Sequence, residues 1–423
     1  MNPQVAILSI GNEVVDGRII NTNASWLSQE FIKNGITPTL VTSCRDDETE
    51  IVQVLQYLSA HADFIITSGG LGPTSDDLTR HAIAQFINKP LVLNEEELGR
   101  LKHRYKLRGR KFDNSNNIQA HFPEGSTIIP NPTGTAPGFI TSSSNRSTMF
   151  SLPGVPSEFR TMVLESVIPD LLHRLGSSAR VPSSVQFHLF GIPESEAGKK
   201  VSLLRLPKAV RVGYRPSFPV LEIRLETVDS LEELTGAESV VREALLDFIF
   251  SEEKDGSLPK TIHQLLCDNQ KTIAVAESCT GGYLGKLLTE RGGSSTFFLG
   301  GALTYSNEMK TKLLGVPKEL LQKFGAVSPE VATAMAKGAH TRFGSDIAVS
   351  ITGIAGPDGG SEEKPVGLFY LGIASAGYEV ALRFFLPTTR EYVRRYAAFA
   401  ALDSIRRYLL GLPYLGKTAE ITE

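Results

Sequence analysis

Cysteine is scarce in this chain, and Cys44, Cys267 and Cys279 are odd in number and share no CxxC or metal-ligand spacing. That excludes a disulfide framework and a structural zinc, and it fits a reducing compartment. An excess of one charge is also missing. The net charge is -3, so no global positive field exists to hold a nucleic-acid backbone. No apolar run approaches the ~18 residues of a spanning helix, and the opening MNPQVAILSIGNE lacks a basic segment with a cleavage site. The expectation is a cytoplasmic protein with no membrane association and no nucleic-acid partner.

What is present describes a multidomain globular protein. At 423 residues the chain exceeds what one core usually serves. Residues 1–175 repeat a rhythm of short apolar run, turn and amphipathic stretch, the pattern of parallel strands joined by crossover helices. Strands are predicted at 5–10, 37–43 and 64–67, with helices at 23–33 and 48–60. The tract GSSARVPSS, residues 176–184, reads as a linker. Residues 183–252 form a small α+β module closed by a helix over 231–250. SEEKDGSLP, residues 251–259, is a second boundary. Over 258–412 the α/β rhythm returns, ending in an amphipathic helix at 390–410. The expected fold class is α/β, two open, mostly parallel-sheet domains joined by a small α+β module.

In the last domain, a strand predicted at 272–276 runs into Glu277, Ser278, Cys279, Thr280, Gly281 and Gly282. Hydroxyls and a thiol then stand at a helix start, where amides and the helix dipole favour an anion or oxyanion. A plain N-cap explains Ser and Thr there equally well. Two more strand ends carry polar or glycine-rich loops, one with Tyr305, Asn307 and Lys310, the other with Thr352, Gly353 and Gly356. Parallel neighbours would bring these loops to one crevice, where Lys310 could activate Ser278 or hold a phosphate. Cys279 is the rival nucleophile, with a buried inert thiol as the bland alternative.

AESCTGG, TYSNEMK, TGIAGPDGGSEEKPVG and the helix bearing Arg390 and Arg394 resemble the C-terminal domain of the CinA family, the nicotinamide mononucleotide deamidases, over nearly all of 258–412. The resemblance implies hydrolysis of nicotinamide mononucleotide to nicotinic acid mononucleotide and ammonia, with no cofactor. It also implies Ser278 as nucleophile, Tyr305 and Lys310 as its activating partners, and Arg390 or Arg394 at the phosphate. Glu277, Thr280, Gly281, Gly282, Asn307, Thr352, Gly353 and Gly356 are the remaining candidates for ligand contact.

The first domain places Glu13, Asp16, Asn21 and Asn23 after its first strand. TSGGLGPTSDDLT follows its third. Glycines permit close approach to a phosphate, and adjacent acids can bind a bridging cation; Asp76 or Asp77 could equally cap the next helix. With NPTGTAPGF and LPGVPSEF these stretches resemble the molybdopterin-binding fold, in CinA order. That resemblance implies a metal-dependent hydrolysis of ADP-ribose to AMP and ribose 5-phosphate. Asp76 and Asp77 would hold the divalent cation, and Glu13, Asn23, Ser68, Gly69, Gly70 and Thr74 would contact the ligand. A pterin- or nucleotide-binding protein without turnover, acting in competence or DNA damage, is the alternative.

The middle module resembles the KH-like linker of CinA, yet no GXXG tetrad for clamping phosphates occurs in 185–250. A connector or dimerisation role is expected, with a homodimer as the default assembly. The basic stretch LKHRYKLRGRKF, residues 101–112, reads as a solvated face or a local phosphate-binding arm.

Overall fold

In the computed structural model, residues 3–107, 109, 111–143, 147–176 and 179–419 are described. Arg108 and Arg110 of the basic stretch, and Ser177 and Ser178 of the linker, lie outside them. The chain divides into two compact units, Met1–Pro182 and Ser183–Glu423.

The first unit is built on six strands: β1 (Val5–Ile10), β2 (Pro38–Cys44), β3 (Phe64–Ser68), β6 (Thr127–Ile129), β7 (Gly138–Ser142) and β8 (Thr148–Leu152). A small pair, β4 (Leu91–Leu93) and β5 (His121–Pro123), stands apart from it. The order is β2-β1-β3-β8-β7-β6. The first four strands are parallel, whereas β7 pairs antiparallel with both β8 and β6. Every residue of β1 and of β8 is buried. Both faces of the sheet are covered, which is why β1 reads as a continuous apolar run instead of alternating.

The second unit holds two sheets. One comprises β9 (Ser183–Phe190), β10 (Arg211–Ser217), β11 (Val220–Thr227) and β12 (Ile249–Ser251), wholly antiparallel in the order β10-β11-β9-β12. Burial along β11 alternates residue by residue, as a half-exposed sheet requires. The helix predicted over 231–250 ends at Leu245, and β12 takes its last residues. Apolar Ile249 and Phe250 fit a helix face and an inner strand alike, and tertiary pairing with β9 decides between them.

The other sheet contains β13 (Ile273–Glu277), β14 (Phe298–Leu303), β15 (Ile347–Gly353), β16 (Leu368–Ser375), β17 (Tyr378–Phe385) and β18 (Lys417–Thr418), ordered β14-β13-β15-β16-β17-β18. Parallel pairing is confined to β14, β13 and β15. From β15 to β17 it is antiparallel, because a loop and a hairpin replace the crossover helices, and β18 adds antiparallel to β17 after the helix Arg390–Leu410.

Helix Arg390–Leu410 is not the amphipathic element expected. Its buried residues, from Val393 to Arg407, run around several faces. The outer face meets the antiparallel sheet instead of solvent: Phe190 packs on Tyr396, and Phe218 on Tyr392, at ring distances of 5.3 and 4.7 Å. Buried Asp403 accepts from Arg406 Nε at 2.8 Å and Arg407 Nε at 2.6 Å. Arg406 goes on to the Ile249 carbonyl and Arg407 to that of Asp247. Through this triad the helix that carries Arg390 and Arg394 is fastened to the segment leading into β12.

Candidate functional site

At the carboxyl ends of β13, β14 and β15 the three loops marked in the sequence do meet. Ser278 N–H donates to the Ile351 carbonyl and Thr304 N–H to the Glu277 carbonyl, at 3.0 and 2.8 Å. These bonds stitch the strand ends together beyond the ladder. Gly281 and Gly282 turn the chain at φ of 59° and 94°, values that disfavour any residue with a Cβ.

Lys310 lies on helix Asn307–Leu314 and is only 1% exposed. Its Nζ donates to Ser278 Oγ at 3.2 Å, to the Thr304 carbonyl at 2.8 Å and to the Tyr305 carbonyl at 3.5 Å. Burial lowers its pKa below the ordinary lysine value of 10.5. Once deprotonated, the amine would keep two protons for the two carbonyls and could turn its lone pair to the Ser278 hydroxyl. Cys279 has the opposite fate: burial pushes its thiol up to about 12, so it stays protonated and inert.

Several candidates have structural duties that the sequence did not disclose. Glu277 is 1% exposed and accepts from the amides of Gly282, Leu284 and Gly285 at 3.0, 3.1 and 2.8 Å. The helix start predicted to hold an anion holds the chain's own carboxylate, and Glu277 shapes the Ser278 turn. The Tyr305 phenol, 64% exposed, accepts from Arg390 Nη2 at 3.0 Å; its link to Lys310 runs through its backbone carbonyl. Thr352 donates its hydroxyl to the Ala326 carbonyl at 2.7 Å. Gly353 is required by close packing, since a Cβ there would meet Phe369 at 2.4 Å. Asn307 lines a surface cavity with Glu308, Thr311 and Lys318.

The two arginines hold the rim. Arg390 Nη1 donates to the Gly356 carbonyl at 2.9 Å, and Arg394 Nη2 to the Thr280 carbonyl at 2.7 Å. The loops after β13, β14 and β15 are thereby tied to a single helix. Beside a hydroxyl that faces a buried amine, two guanidinium groups suit an anionic substrate with a carbonyl to attack.

In the first unit a cavity of about 520 Å3 opens at the ends of β1, β3 and β8, lined by Gly69, Gly70, Thr74, Asp76, Asp77 and Glu13 among others. Here too the loop satisfies itself. Asp77 accepts from Gly72 N–H at 2.7 Å, and from the Thr74 N–H and hydroxyl. It caps this turn, not the helix that follows. The glycines serve packing: a Cβ on Gly69 would meet the Ile10 carbonyl oxygen at 2.1 Å, and one on Gly70 the Thr79 hydroxyl at 2.1 Å. Asn23 donates to Ser68 Oγ at 3.0 Å and to the Gly154 carbonyl at 2.8 Å, so Asn23 and Ser68 position the crevice wall from behind.

Sequence reasoning missed Asp46, which sits just past β2 and accepts from Asn12 N–H at 2.8 Å. Burial raises its pKa, and the nearby charges of Glu13, Asp76 and Asp77 add to the rise. A strand-end carboxylate was the available signal. This acidic set suits a hard divalent cation. Among the described residues, however, no three His, Cys, Asp or Glu side chains stand close enough to hold one alone. The fit is to a cation whose remaining ligands are water and substrate phosphates.

Residues 255–409 match the family described as "CinA C-terminal domain", and residues 6–173 the one described as "Probable molybdopterin binding domain". A CinA-like protein of Geotalea uraniireducens is 39% identical over 427 residues, covering 99% of this chain and 100% of that protein. The chain belongs to the CinA family. Another CinA-like protein, from Geobacter sulfurreducens, is 41% identical over 96% of this chain and 99% of its own length. Among solved structures, the competence/damage inducible protein CihA from Agrobacterium tumefaciens is 38% identical, covering 36% of this chain and 93% of that one, with a TM-score of 0.35. In this CinA-like chain no helix among the described residues is long and apolar enough to cross a membrane.

Proposed function

We propose that the chain is a bifunctional hydrolase of pyridine-nucleotide salvage, deamidating nicotinamide mononucleotide in the second unit and splitting ADP-ribose in the first. The observation that carries the deamidase reading is the buried Lys310 amine 3.2 Å from the Ser278 hydroxyl. Neutral Lys310 takes the hydroxyl proton as Ser278 Oγ attacks the carboxamide carbon. The tetrahedral adduct then expels ammonia, which leaves with the proton from Lys310, and a seryl ester remains. Water attacks that ester with Lys310 again as base, releasing nicotinic acid mononucleotide and restoring the serine. Arg390 and Arg394 meet the substrate phosphate, and Glu277 keeps the nucleophile turn in place.

For the first unit, a divalent cation held by Asp76 together with water and the diphosphate, in the negative field of Glu13 and Asp46, would neutralise charge that develops on the phosphates. A binding-only crevice is the second reading, favoured by the commitment of both Asp77 oxygens to the loop. Two assays decide: ammonia release from nicotinamide mononucleotide, and AMP release from ADP-ribose with and without a chelator. Ammonia release insensitive to chelator and AMP release abolished by it are expected. No ammonia would remove the deamidase reading, and no AMP would leave the first crevice as a binding site.

A further inference from the structure

Within the second unit a cavity of about 310 Å3 is walled by the antiparallel sheet and by helices Leu258–Asp268, Tyr283–Leu288 and Arg390–Leu410. None of the residues assigned to either reaction lines it. Its charges are unevenly matched. Glu222 has Arg215 at 3.7 Å and Glu290 has Lys286 at 3.9 Å, both loose ion pairs. Arg395 is left over: no carboxylate pairs with it among the described residues, and its buried Nε has no hydrogen-bond partner. A buried guanidinium nitrogen without an acceptor is costly, and it calls for an anion, ligand or water to complete it. The same cavity has aromatic walls, from Phe250, Tyr283 and Phe399.

We infer that this cavity is an effector site for a phosphorylated heterocycle of mononucleotide size, its phosphate on Arg395 and its ring against the aromatic walls. A guanidinium fork matches a phosphate with two parallel donors, and aromatic faces suit a flat ring. A bare anion would leave those faces unused, and a neutral ring would leave Arg395 unpaired. The volume stands at the small end of the range of about 300–1,000 Å3 for small-molecule sites, which favours a mononucleotide over a dinucleotide. The walls also lead to the Ser278 turn. Arg394, next to Arg395, donates to the Thr280 carbonyl at 2.7 Å. Tyr283 opens the helix whose Leu284 and Gly285 amides hold Glu277 at 3.1 and 2.8 Å. A ligand that fixes Tyr283 and Arg395 therefore acts on the turn that carries the hydroxyl.

The test is calorimetric titration of AMP, adenosine and inorganic phosphate into the full chain and its Arg395→Gln variant, together with an AMP soak of wild-type crystals. Arg395 belongs to neither proposed reaction site, so the difference between the two proteins isolates this cavity. One class of AMP site should weaken about tenfold or more in Arg395→Gln, and adenosine and phosphate should each occupy that class more weakly than AMP. The soak should place the phosphate within hydrogen-bond distance of Arg395. Replacing an unpaired, partly buried charge should not lower the melting temperature, so lost binding is not lost fold. AMP should also shift kcat for nicotinamide mononucleotide about fivefold in the wild type and leave it unmoved in Arg395→Gln, whereas competition at Ser278 would change KM alone. Identical AMP titrations of the two proteins, a cavity empty after the soak, or phosphate binding as tightly as AMP overturns the site. A kcat unmoved by AMP in the wild type, or a shift that survives in Arg395→Gln, overturns the effector role. Where no ammonia is released, the deamidase reading falls and the titrations and the soak still decide the site.

Discussion

The two crevices of this chain share a plan and differ in where they leave their charges. Each lies at the carboxyl ends of adjacent parallel strands, and in each a glycine-bearing loop is locked by a carboxylate from its own segment: Glu277 in the second unit, Asp77 in the first. In the second unit an amine is then buried against a hydroxyl. In the first, carboxylates gather along an open groove, with the buried Arg80 guanidinium set beside Asp77. One plan therefore yields a hydroxyl paired with a buried amine, and the other an acidic field that, on the proposed reading, a cation and phosphates would complete. Mutations should act as switches in the first case and as dials in the second.

The largest effect expected is that of Ser278→Ala, which should reduce ammonia release about 10⁴-fold or more, as loss of a nucleophile does elsewhere. AMP release from ADP-ribose should be unchanged, since its residues lie in the other unit. Ammonia release at the wild-type rate would break the comparison outright by moving the nucleophile away from this turn.

Next in size is Lys310→Met, expected to lower deamidation by about 10²- to 10⁴-fold, with a stability loss of about 1–3 kcal/mol because the Thr304 and Tyr305 carbonyls lose their donor. The pH dependence follows from the lowered pKa. The neutral amine is the working form, so deamidation rises with pH until it passes that value, below 10.5. The unfolded chain binds this proton more tightly than the folded one, so wild-type stability rises with pH between the lowered value and 10.5. Lys310→Met should flatten that rise. A pH–rate profile with no acid limb would remove Lys310 as the base.

The contrast also explains what the sequence disclosed. Strand-end loops at Glu277–Gly282, Tyr305–Lys310 and Thr352–Gly356 were legible because apolar runs stop where polar and glycine residues begin, and parallel pairing brings such ends together. The pairing of Ser278 with Lys310 was legible for the same reason. What stayed hidden depends on side-chain direction. Nothing in the order of residues shows that Glu277 and Asp77 fold back on their own amides, or that the Thr352 hydroxyl turns to Ala326. The burial of helix Arg390–Leu410 was concealed likewise, since its second apolar face is covered by a sheet distant in the chain.

A graded response in the first unit is sharpened by the pair Asp76→Asn and Asp77→Asn. Asp76 lies at the surface of the crevice with the Thr74 hydroxyl beside it, so its amide should raise the divalent-ion concentration needed for half-maximal AMP release by about 10- to 100-fold. Asp77 holds the loop, so its amide should instead destabilise the unit by about 1–3 kcal/mol with little change in that concentration. Denaturant melts alongside metal titrations separate the two. The reverse assignment, with Asp77 governing the metal response, would show that the loop bonds yield when the ligand arrives.

The smallest change expected is at the rim of the second unit's crevice, where Arg390 spans the Gly356 carbonyl and the Tyr305 phenol at 2.9 and 3.0 Å. A lysine keeps the charge and loses the fork that reaches both partners. Arg390→Lys should therefore raise KM for nicotinamide mononucleotide about fivefold and leave kcat nearly unchanged, because uniform binding of the phosphate is weakened without disturbing Ser278 or Lys310. Steady-state kinetics decide it. Should kcat fall while KM holds, Arg390 would be acting through Tyr305 on the Lys310 carbonyl shell, and even the rim of this site would behave as a switch.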